Sequence, residues 1–187
     1  MKKYELTSET KIVFGHILYR IKALSSFGYV SAGDLGGFLE SEKNLSQNGN
    51  AWVSGNARVY GNAEVYGNAE VYGNAEMYGN ARVYGNAEVY GNAEVYGSAR
   101  VSGNAEVSKI GSIFWIGAVG SRNDTATFFR CTDGVVRVTC GCFFGNLDEF
   151  AKKVRKTHGD NDHAKVYMLA IDMAKIRIST EKEKTEE

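Results

Sequence analysis

The chain has 187 residues and carries 22 Lys plus Arg against 22 Asp plus Glu, so its formal net charge is zero. This balance argues against a surface built throughout to bind nucleic acid, and no apolar run is long enough to span a membrane. The N-terminus lacks the apolar core of a signal peptide, and the three Cys predict reduced thiols in the cytoplasm instead of a disulfide framework.

Residues 1–44 are predicted to form an N-terminal β cap. Residues 11–14 and 17–24 have the composition of strands, with Gly15 and His16 as the turn between them. A cap is expected because a repetitive β structure begins downstream, and the unpaired strand edges at its ends need cover.

Residues 45–108 are predicted to form a β-solenoid. From residue 51 onward the unit Ala-Glu/Arg-Val-Tyr-Gly-Asn repeats with a period of six. A continuous α-helix does not fit, because that period would distribute Val around its whole surface. In a strand, Ala and Val share the inner side, Glu or Arg and Tyr point outward, and Gly-Asn turns the corner.

The repeat resembles the hexapeptide of left-handed parallel β-helices, in which three hexapeptides form one triangular coil, or 18 residues at this period. The resemblance implies a left-handed solenoid and a homo-oligomer, either trimer or dimer, that associates through the solenoid faces. A weaker phase upstream, through Leu35, Leu39, Leu45 and Ala51, predicts one more coil before the three coils of the clear repeat.

The entry into the repeat carries a second resemblance. A Gly-Gly-aromatic-aliphatic-acidic segment precedes Asn-Leu-Ser and Gly-x-x-Trp, at Gly36, Gly37, Phe38, Leu39, Glu40, Asn44, Leu45, Ser46, Gly49 and Trp52. This arrangement resembles the entry segment of YdcK-like hexapeptide-repeat proteins of bacteria and prophages. The resemblance suggests a phage-encoded accessory protein, and it implies no particular activity, since fold alone is weak warrant for function.

The 18-residue spacing assigns the outward side chains to three stacked faces. The first face stacks Arg58, Glu76 and Glu94, the second Glu64, Arg82 and Arg100, and the third Trp52, Glu70, Glu88 and Glu106 beside Tyr72 and Tyr90. Like charges about 5 Å apart cost less than about 1 kcal/mol in water, so the third face is tolerable as a solvated surface. Alternatively, the third face is a docking surface for a basic or aromatic partner, because Tyr side chains provide a large contact area at low entropic cost.

Residues 109–187 are predicted to form a small α+β module with the order β-β-β-α-α. The predicted strands are residues 112–119, 125–130 and 135–140. Asp133-Gly134 marks the hairpin between the last two strands. Cys140 and Cys142 are expected on one side of the last strand, as buried reduced thiols.

Two helices are predicted to end the module. Asn146 and Glu149 form a capping box for a helix that runs to about His158. A second helix is expected from Asp162 to Ile178, with a charged, frayed tail after it. Its predicted apolar positions are Val166, Leu169, Ala170, Met173 and Ile176, and the tail is residues 181–187.

Chemistry is expected outside the repeat, if anywhere. Enzymes on left-handed β-helices use coil His residues as a general base or as zinc ligands, and this repeat contains no His and no Cys. His158 and His163 flank an Asp-containing turn, which we interpret as a capped helix junction instead of a metal site. We therefore expect neither a cofactor nor a metal.

Three functional hypotheses follow. The first, which we favour, is a non-enzymatic cytoplasmic protein that binds a host macromolecule, such as a defence component. The second is sequestration of a small anionic or nucleotide ligand at subunit junctions, by Arg122, Lys152, Arg155 and His158. The third is an enzyme centred on the C-terminal module, through Arg122, Cys140, Cys142 and His158.

Overall fold

The strands are short at the centre of the chain and longer at both ends. The computed structural model describes residues 2–178. The N-terminal region contains β1 (Tyr4–Val13), β2 (His16–Ala23) and β3 (Leu35–Leu39). Ten two-residue strands follow: β4 (Trp52–Val53), β5 (Arg58–Val59), β6 (Glu64–Val65), β7 (Glu70–Val71), β8 (Glu76–Met77), β9 (Arg82–Val83), β10 (Glu88–Val89), β11 (Glu94–Val95), β12 (Arg100–Val101) and β13 (Glu106–Val107). The C-terminal region contains β14 (Ile113–Val119), β15 (Asp124–Arg130), β16 (Val136–Cys140), β17 (Phe143–Asn146), α1 (Leu147–His158) and α2 (Asp162–Arg177).

The two-residue strands form a β-solenoid of about four turns. Each of the strands β4 to β10 pairs in parallel with the strand that starts 18 residues later, so that Glu70 lies beside Glu88. The stacks are β3-β5-β8-β11, β6-β9-β12 and β4-β7-β10-β13. Inside the coils the Ala and aliphatic residues of the repeat, such as Ala75 and Val83, are fully buried. The predicted assignment of outward residues to three stacked faces is therefore confirmed.

Glycine is required at the corners of the coils. Gly79 has a φ of +71°, and a Cβ atom there would lie 3.0 Å from the amide N of Gly97 in the next coil. Beside the Gly columns, Nδ2 of Asn50 donates to Oδ1 of Asn68 at 3.2 Å, and Asn68 donates to Asn86 at 3.0 Å. Positive φ and close backbone approach explain why Gly recurs in each unit. The hydrogen bonds between stacked Asn side chains explain why Asn follows Gly in the repeat.

The first coil is built from residues outside the clear repeat. Leu39 pairs in register with Val59, and Leu45 with Val65. Both Leu side chains are buried, so the weaker upstream phase is confirmed at these positions. For Leu35 the same prediction is wrong, because this residue lies at the start of β3 and is 53% exposed.

An antiparallel hairpin extends the first stack beyond β3. β1 pairs with β2, and β2 pairs with β3. Phe14 and Gly15 form the turn with positive φ, and His16 already belongs to β2, so the predicted turn was placed one residue too late. β1 is also longer than expected. At its start the buried Tyr4 donates from its hydroxyl to the carbonyl O of Leu45 at 2.7 Å, which ties the hairpin to the first coil.

The C-terminal sheet has four antiparallel strands in chain order, β14-β15-β16-β17. β17 was not predicted; it follows β16 through a turn at Gly141 and Cys142. Cys140 and Cys142 therefore do not share one side of a strand, because Gly141, with a φ of +59°, reverses the chain between them. The sheet contacts the last coil where the amide of Arg100 donates to Oγ1 of Thr127 at 3.0 Å.

Both predicted helices are present. In the capping box of α1, the amide of Glu149 donates to Oδ1 of Asn146, and the amide of Asn146 donates to Oε2 of Glu149, each at 2.9 Å. α2 ends at Arg177, one residue before the predicted end, and the tail predicted at residues 181–187 lies outside the described residues. Within residues 2–178 neither helix combines the length and the hydrophobicity that a membrane crossing needs.

α2 packs on the sheet with a different side from the one predicted. Its buried residues are Ala164, Tyr167, Ala170, Ile171 and Ala174. Of the five predicted apolar positions, Ala170 is buried, whereas Val166, Leu169, Met173 and Ile176 are exposed. Three Ala on the inner side let the helix approach the sheet closely, and the larger aliphatic residues remain outside.

Candidate protein-contact surfaces

One face of the solenoid carries a column of acidic side chains. We define the acidic face as Trp52, Glu70, Tyr72, Glu88, Tyr90 and Glu106. Parallel pairing aligns its Trp and Glu residues in register, one per coil. The rings of Tyr72 and Tyr90 stack beside them with centroids 4.9 Å apart. The acidic face is thus a flat, regular surface of carboxylates and aromatic rings.

Tyrosine hydroxyls hold the carboxylates of the acidic face. The Tyr72 hydroxyl donates to Oε2 of Glu88 at 3.0 Å, and the Tyr90 hydroxyl donates to Oε1 of Glu106 at 2.9 Å. Burial, and next the hydrogen bond to the neighbouring Glu, raise the pKa of both Tyr72 and Tyr90 above the ordinary value. Each Tyr therefore stays a neutral donor that orients a carboxylate and leaves its negative charge in place.

The flanking regions contact both ends of the acidic face. At one end Nη2 of Arg130, on β15, lies 3.1 Å from Oε2 of Glu106. At the other end Tyr29 lies near Glu70, and burial followed by the charge of Glu70 raises the pKa of Tyr29. Trp52 is only 3% exposed, since the loop between β2 and β3 packs against its ring. The accessible part therefore runs from Glu70 to Glu106.

On each of the other two solenoid faces, an Arg pairs with a Glu of the neighbouring coil. On the first, Nη2 of Arg58 lies 2.7 Å from Oε2 of Glu76, and Oε1 of Glu76 accepts a hydrogen bond from the Tyr60 hydroxyl. On the second, Nε of Arg82 lies 3.4 Å from Oε2 of Glu64. The acidic face differs from both, because it stacks three carboxylates and, among residues 2–178, only Glu106 of the three has an ion pair, with Arg130.

The residues predicted to bind an anionic ligand are spread over several elements. Arg122 lies in the turn between β14 and β15, beside the turn between β16 and β17. His158 ends α1 and packs against Tyr167, with ring centroids 5.8 Å apart. Lys152 and Arg155 are exposed on α1, and Arg155 lines a cavity with the first turns of α2. The four side chains therefore do not line one described cavity.

The cysteines are free thiols in three different environments. Cys140 is buried, with Sγ 3.7 Å from the hydroxyl of Tyr167, and Cys131 is buried against the last coil. Burial raises the pKa of both thiols, which disfavours the thiolate that a nucleophile needs. Cys142 is exposed in its turn. The surroundings of Cys131 and Cys140 therefore do not favour a thiolate nucleophile at either position.

The junction between the two helices is a capped turn. Oδ1 of Asn161 accepts from the amide of Ala164 at 3.1 Å, which caps α2. The rings of His158 and His163 lie 5.6 Å apart. Among the residues that the structure describes, no group of three or more His, Cys, Asp or Glu is arranged to hold a metal ion.

A second surface lies on the outer side of α2. We define the outer stripe as Val166, Leu169, Met173 and Ile176. The sequence predicts these residues as apolar positions of the second helix, and the structure places them on its exposed side. The sequence contains a pattern that distinguishes the two sides of α2. The Ala residues and Tyr167 form a separate apolar stripe, and the larger aliphatic residues lie on the opposite side.

A comparison with known families supports the fold. Residues 51–67 match the family model described as the YdcK Beta solenoid repeat. This segment contains β4, β5 and β6, which is one strand from each of the three stacks. No match was found among curated proteins. The chain thus contains a YdcK-type β-solenoid repeat, the kind that its entry segment resembles, folded into about four coils.

Proposed function

We propose that the chain is a non-enzymatic binding protein that engages a basic segment of a macromolecular partner through its acidic face. The observation that carries this proposal is the column of Glu70, Glu88 and Glu106, in register and about 4.8 Å apart, with Arg130 contacting the last of them. A cation from a partner relieves the repulsion within this column.

The face is organised before a partner arrives. Tyr72 and Tyr90 hold Glu88 and Glu106 in fixed positions, and their own rings are stacked. A bound segment therefore meets side chains that have already lost much of their rotamer freedom, which lowers the entropic cost of binding. Exposed ion pairs contribute about 0.2–1 kcal/mol each, so apolar contact with the Tyr rings has to supply the rest of the affinity.

The biological setting belongs to the same proposal. The YdcK-type repeat and the entry segment support a phage-encoded accessory protein that engages a host macromolecule, such as a defence component. The free thiols of the chain support a reducing compartment such as the cytoplasm. Left-handed winding of the coils and association of several copies are part of this proposal as well.

A fluorescent oligolysine peptide tests the acidic face at low ionic strength. We expect the wild-type chain to bind it, and we expect Glu70→Gln with Glu88→Gln to weaken binding by about tenfold, since two carboxylates are neutralised without a change of shape. Fluorescence anisotropy measures the dissociation constant, and binding should weaken as salt is added.

The matched control is Glu5→Gln with Glu9→Gln, which removes the same charge from exposed positions of the N-terminal hairpin, outside the acidic face. This variant should bind the peptide as the wild type does. Equal weakening in the two double variants would show that only net charge matters, and absence of any binding by the wild type would likewise refute the proposal.

A further inference from the structure

α2 is apolar on two sides. Its inner side is buried against the sheet and α1. On the outer stripe the exposed fractions are 39% for Val166, 64% for Leu169, 52% for Met173 and 87% for Ile176. A helix that is apolar on both sides is typical of an interior position, where both sides are covered. The outer stripe therefore has the composition of an interface.

The spacing of the outer stripe fits another helix. Its positions follow each other in steps of three, four and three residues, which is the a/d pattern of two heptads. Side chains in this pattern form a single seam along a helix. α2 has 16 residues and is about 24 Å long, so the seam extends over most of its length.

The charges along α2 favour a second copy of the same helix, running antiparallel. Asp160, just before the helix, and Asp162 lie at its start, and Lys175 and Arg177 lie at its end, all of them exposed. Asp162 also pairs with Lys165, and Lys175 with Asp172, so each end keeps one acidic or basic charge in excess. In an antiparallel pair related by a two-fold axis, the acidic start of each helix meets the basic end of the other. The surface is thus complementary to itself, as an isologous interface requires.

Apolar surface continues beyond the outer stripe. An open cavity of about 520 Å³ lies beside the end of α2, lined by Val135, Leu147 and Ile178 with Lys175 at its edge. Val135 is itself 40% exposed. In the antiparallel arrangement the first turn of the partner helix approaches this cavity, which extends the contact beyond a single pair of helices.

We propose that the outer stripe is the interface of a symmetric dimer, in which α2 of one copy packs antiparallel against α2 of another. This places the association of copies on the C-terminal module instead of the solenoid faces, and it leaves the acidic face of each copy open. A dimer therefore presents two acidic faces to a partner.

Sedimentation over a concentration series tests the dimer. The wild-type chain should have the mass of two chains, and Leu169→Lys with Met173→Lys should have the mass of one, since burial of two cations in the seam is unfavourable. Both positions are exposed in the single chain, so the far-UV circular dichroism should not change. Ile12→Lys with Phe14→Lys, which changes exposed apolar residues of the N-terminal hairpin, should leave the dimer intact.

A charge exchange tests the antiparallel orientation. Asp160→Lys with Asp162→Lys makes both ends of α2 basic, and Lys175→Asp with Arg177→Asp makes both ends acidic. Each variant alone should dimerise at least about tenfold more weakly, because the contacts at both ends become repulsive. An equimolar mixture of the two should restore a dimer, since each contact again joins unlike charges.

Several outcomes would overturn this proposal. They are a wild-type chain that stays monomeric at every concentration, a dimer that survives the Leu169 and Met173 substitutions, and a mixture of charge variants that does not recover. Flotation of a monomeric wild-type chain with anionic lipid vesicles, abolished by the Leu169 and Met173 substitutions, would assign the stripe to a membrane surface instead.

Discussion

The hydroxyl of Tyr72 donates a 3.0 Å hydrogen bond to Glu88, sixteen residues later and one coil further along the solenoid. The offset follows from the repeat. Glu88 lies in register with Glu70, and Tyr72 comes two residues after Glu70 in the sequence. The same offset recurs where the Tyr60 hydroxyl donates to Glu76 and the Tyr90 hydroxyl donates to Glu106.

Loss of either hydroxyl should destabilise the solenoid modestly. We expect Tyr72→Phe and Tyr90→Phe each to lower the free energy of unfolding by about 1 kcal/mol, because each removes one hydrogen bond to a charged acceptor. Tyr84→Phe is the matched control: Tyr84 stacks on Tyr66, but the residue sixteen positions later is Arg100. Urea denaturation gives the three values, and an equal cost for Tyr84→Phe would contradict the account.

The tyrosines that donate to Glu residues of the next coil should make the stability of the fold decrease at alkaline pH. Burial raises the pKa of Tyr60, Tyr72 and Tyr90 above the value of 10.0 expected in the unfolded chain. Above about pH 10 the folded chain therefore holds more protons than the unfolded chain, so the free energy of unfolding should fall as pH rises.

Denaturation curves at a series of pH values above about pH 10 measure this fall, and tyrosinate absorbance reports the ionisation. A variant with Tyr72→Phe and Tyr90→Phe should show a shallower decline, since two of the responsible groups are gone. A decline of the same steepness in this variant would assign the effect to other residues.

Lys3 should make the free energy of unfolding rise with pH, in a pH range below that in which the tyrosines lower it. Its ammonium group is buried and donates to the carbonyl O of Ala51 at 2.8 Å, and burial lowers the pKa of Lys3 to about 8. Between about pH 8 and pH 10 the unfolded chain keeps this proton while the folded chain loses it, so this group contributes stability that increases with pH. The raised pKa values of Cys131 and Cys140 oppose this trend.

Comparison with Lys3→Met isolates the lysine, because the thiols are common to both chains. The difference in unfolding free energy should shift in favour of the wild type by about 1–2 kcal/mol from about pH 8 to about pH 10. Lys2→Met, at an exposed position, should follow the wild type in this range. A constant difference between wild type and Lys3→Met would show that Lys3 has the same pKa in both states.

The sequence predicts the solenoid faces well because the repeat has no insertion. A fixed period determines which residue lies above which, so the alignment of Glu70, Glu88 and Glu106 follows from counting. The capping box of Asn146 and Glu149 is equally local, since both of its hydrogen bonds lie within a segment of four residues. Such features depend on a few neighbouring residues or on a fixed repeat period, and both can be read directly from the sequence.

Features that depend on packing between distant segments were less predictable. The burial of Trp52 requires the loop between β2 and β3, which the period of the repeat does not describe. α2 offers two apolar sides, and the choice between them is made by the sheet, which accepts the side with the smaller residues. β17 was missed because its four residues lie between a one-glycine turn and a helix cap.

Cross-linking tests the column of the acidic face most directly, since the proposed function rests on that column. In a chain with Cys142→Ser, the pair Glu70→Cys and Glu88→Cys occupies facing positions of β7 and β10, about 4.8 Å apart, within the range of a disulfide. The account predicts rapid disulfide formation within one chain on mild oxidation, and none for Glu70→Cys with Glu76→Cys, which lie in different stacks. Failure of the first pair to cross-link, or equal cross-linking of both pairs, would contradict the stacked coils on which the account depends.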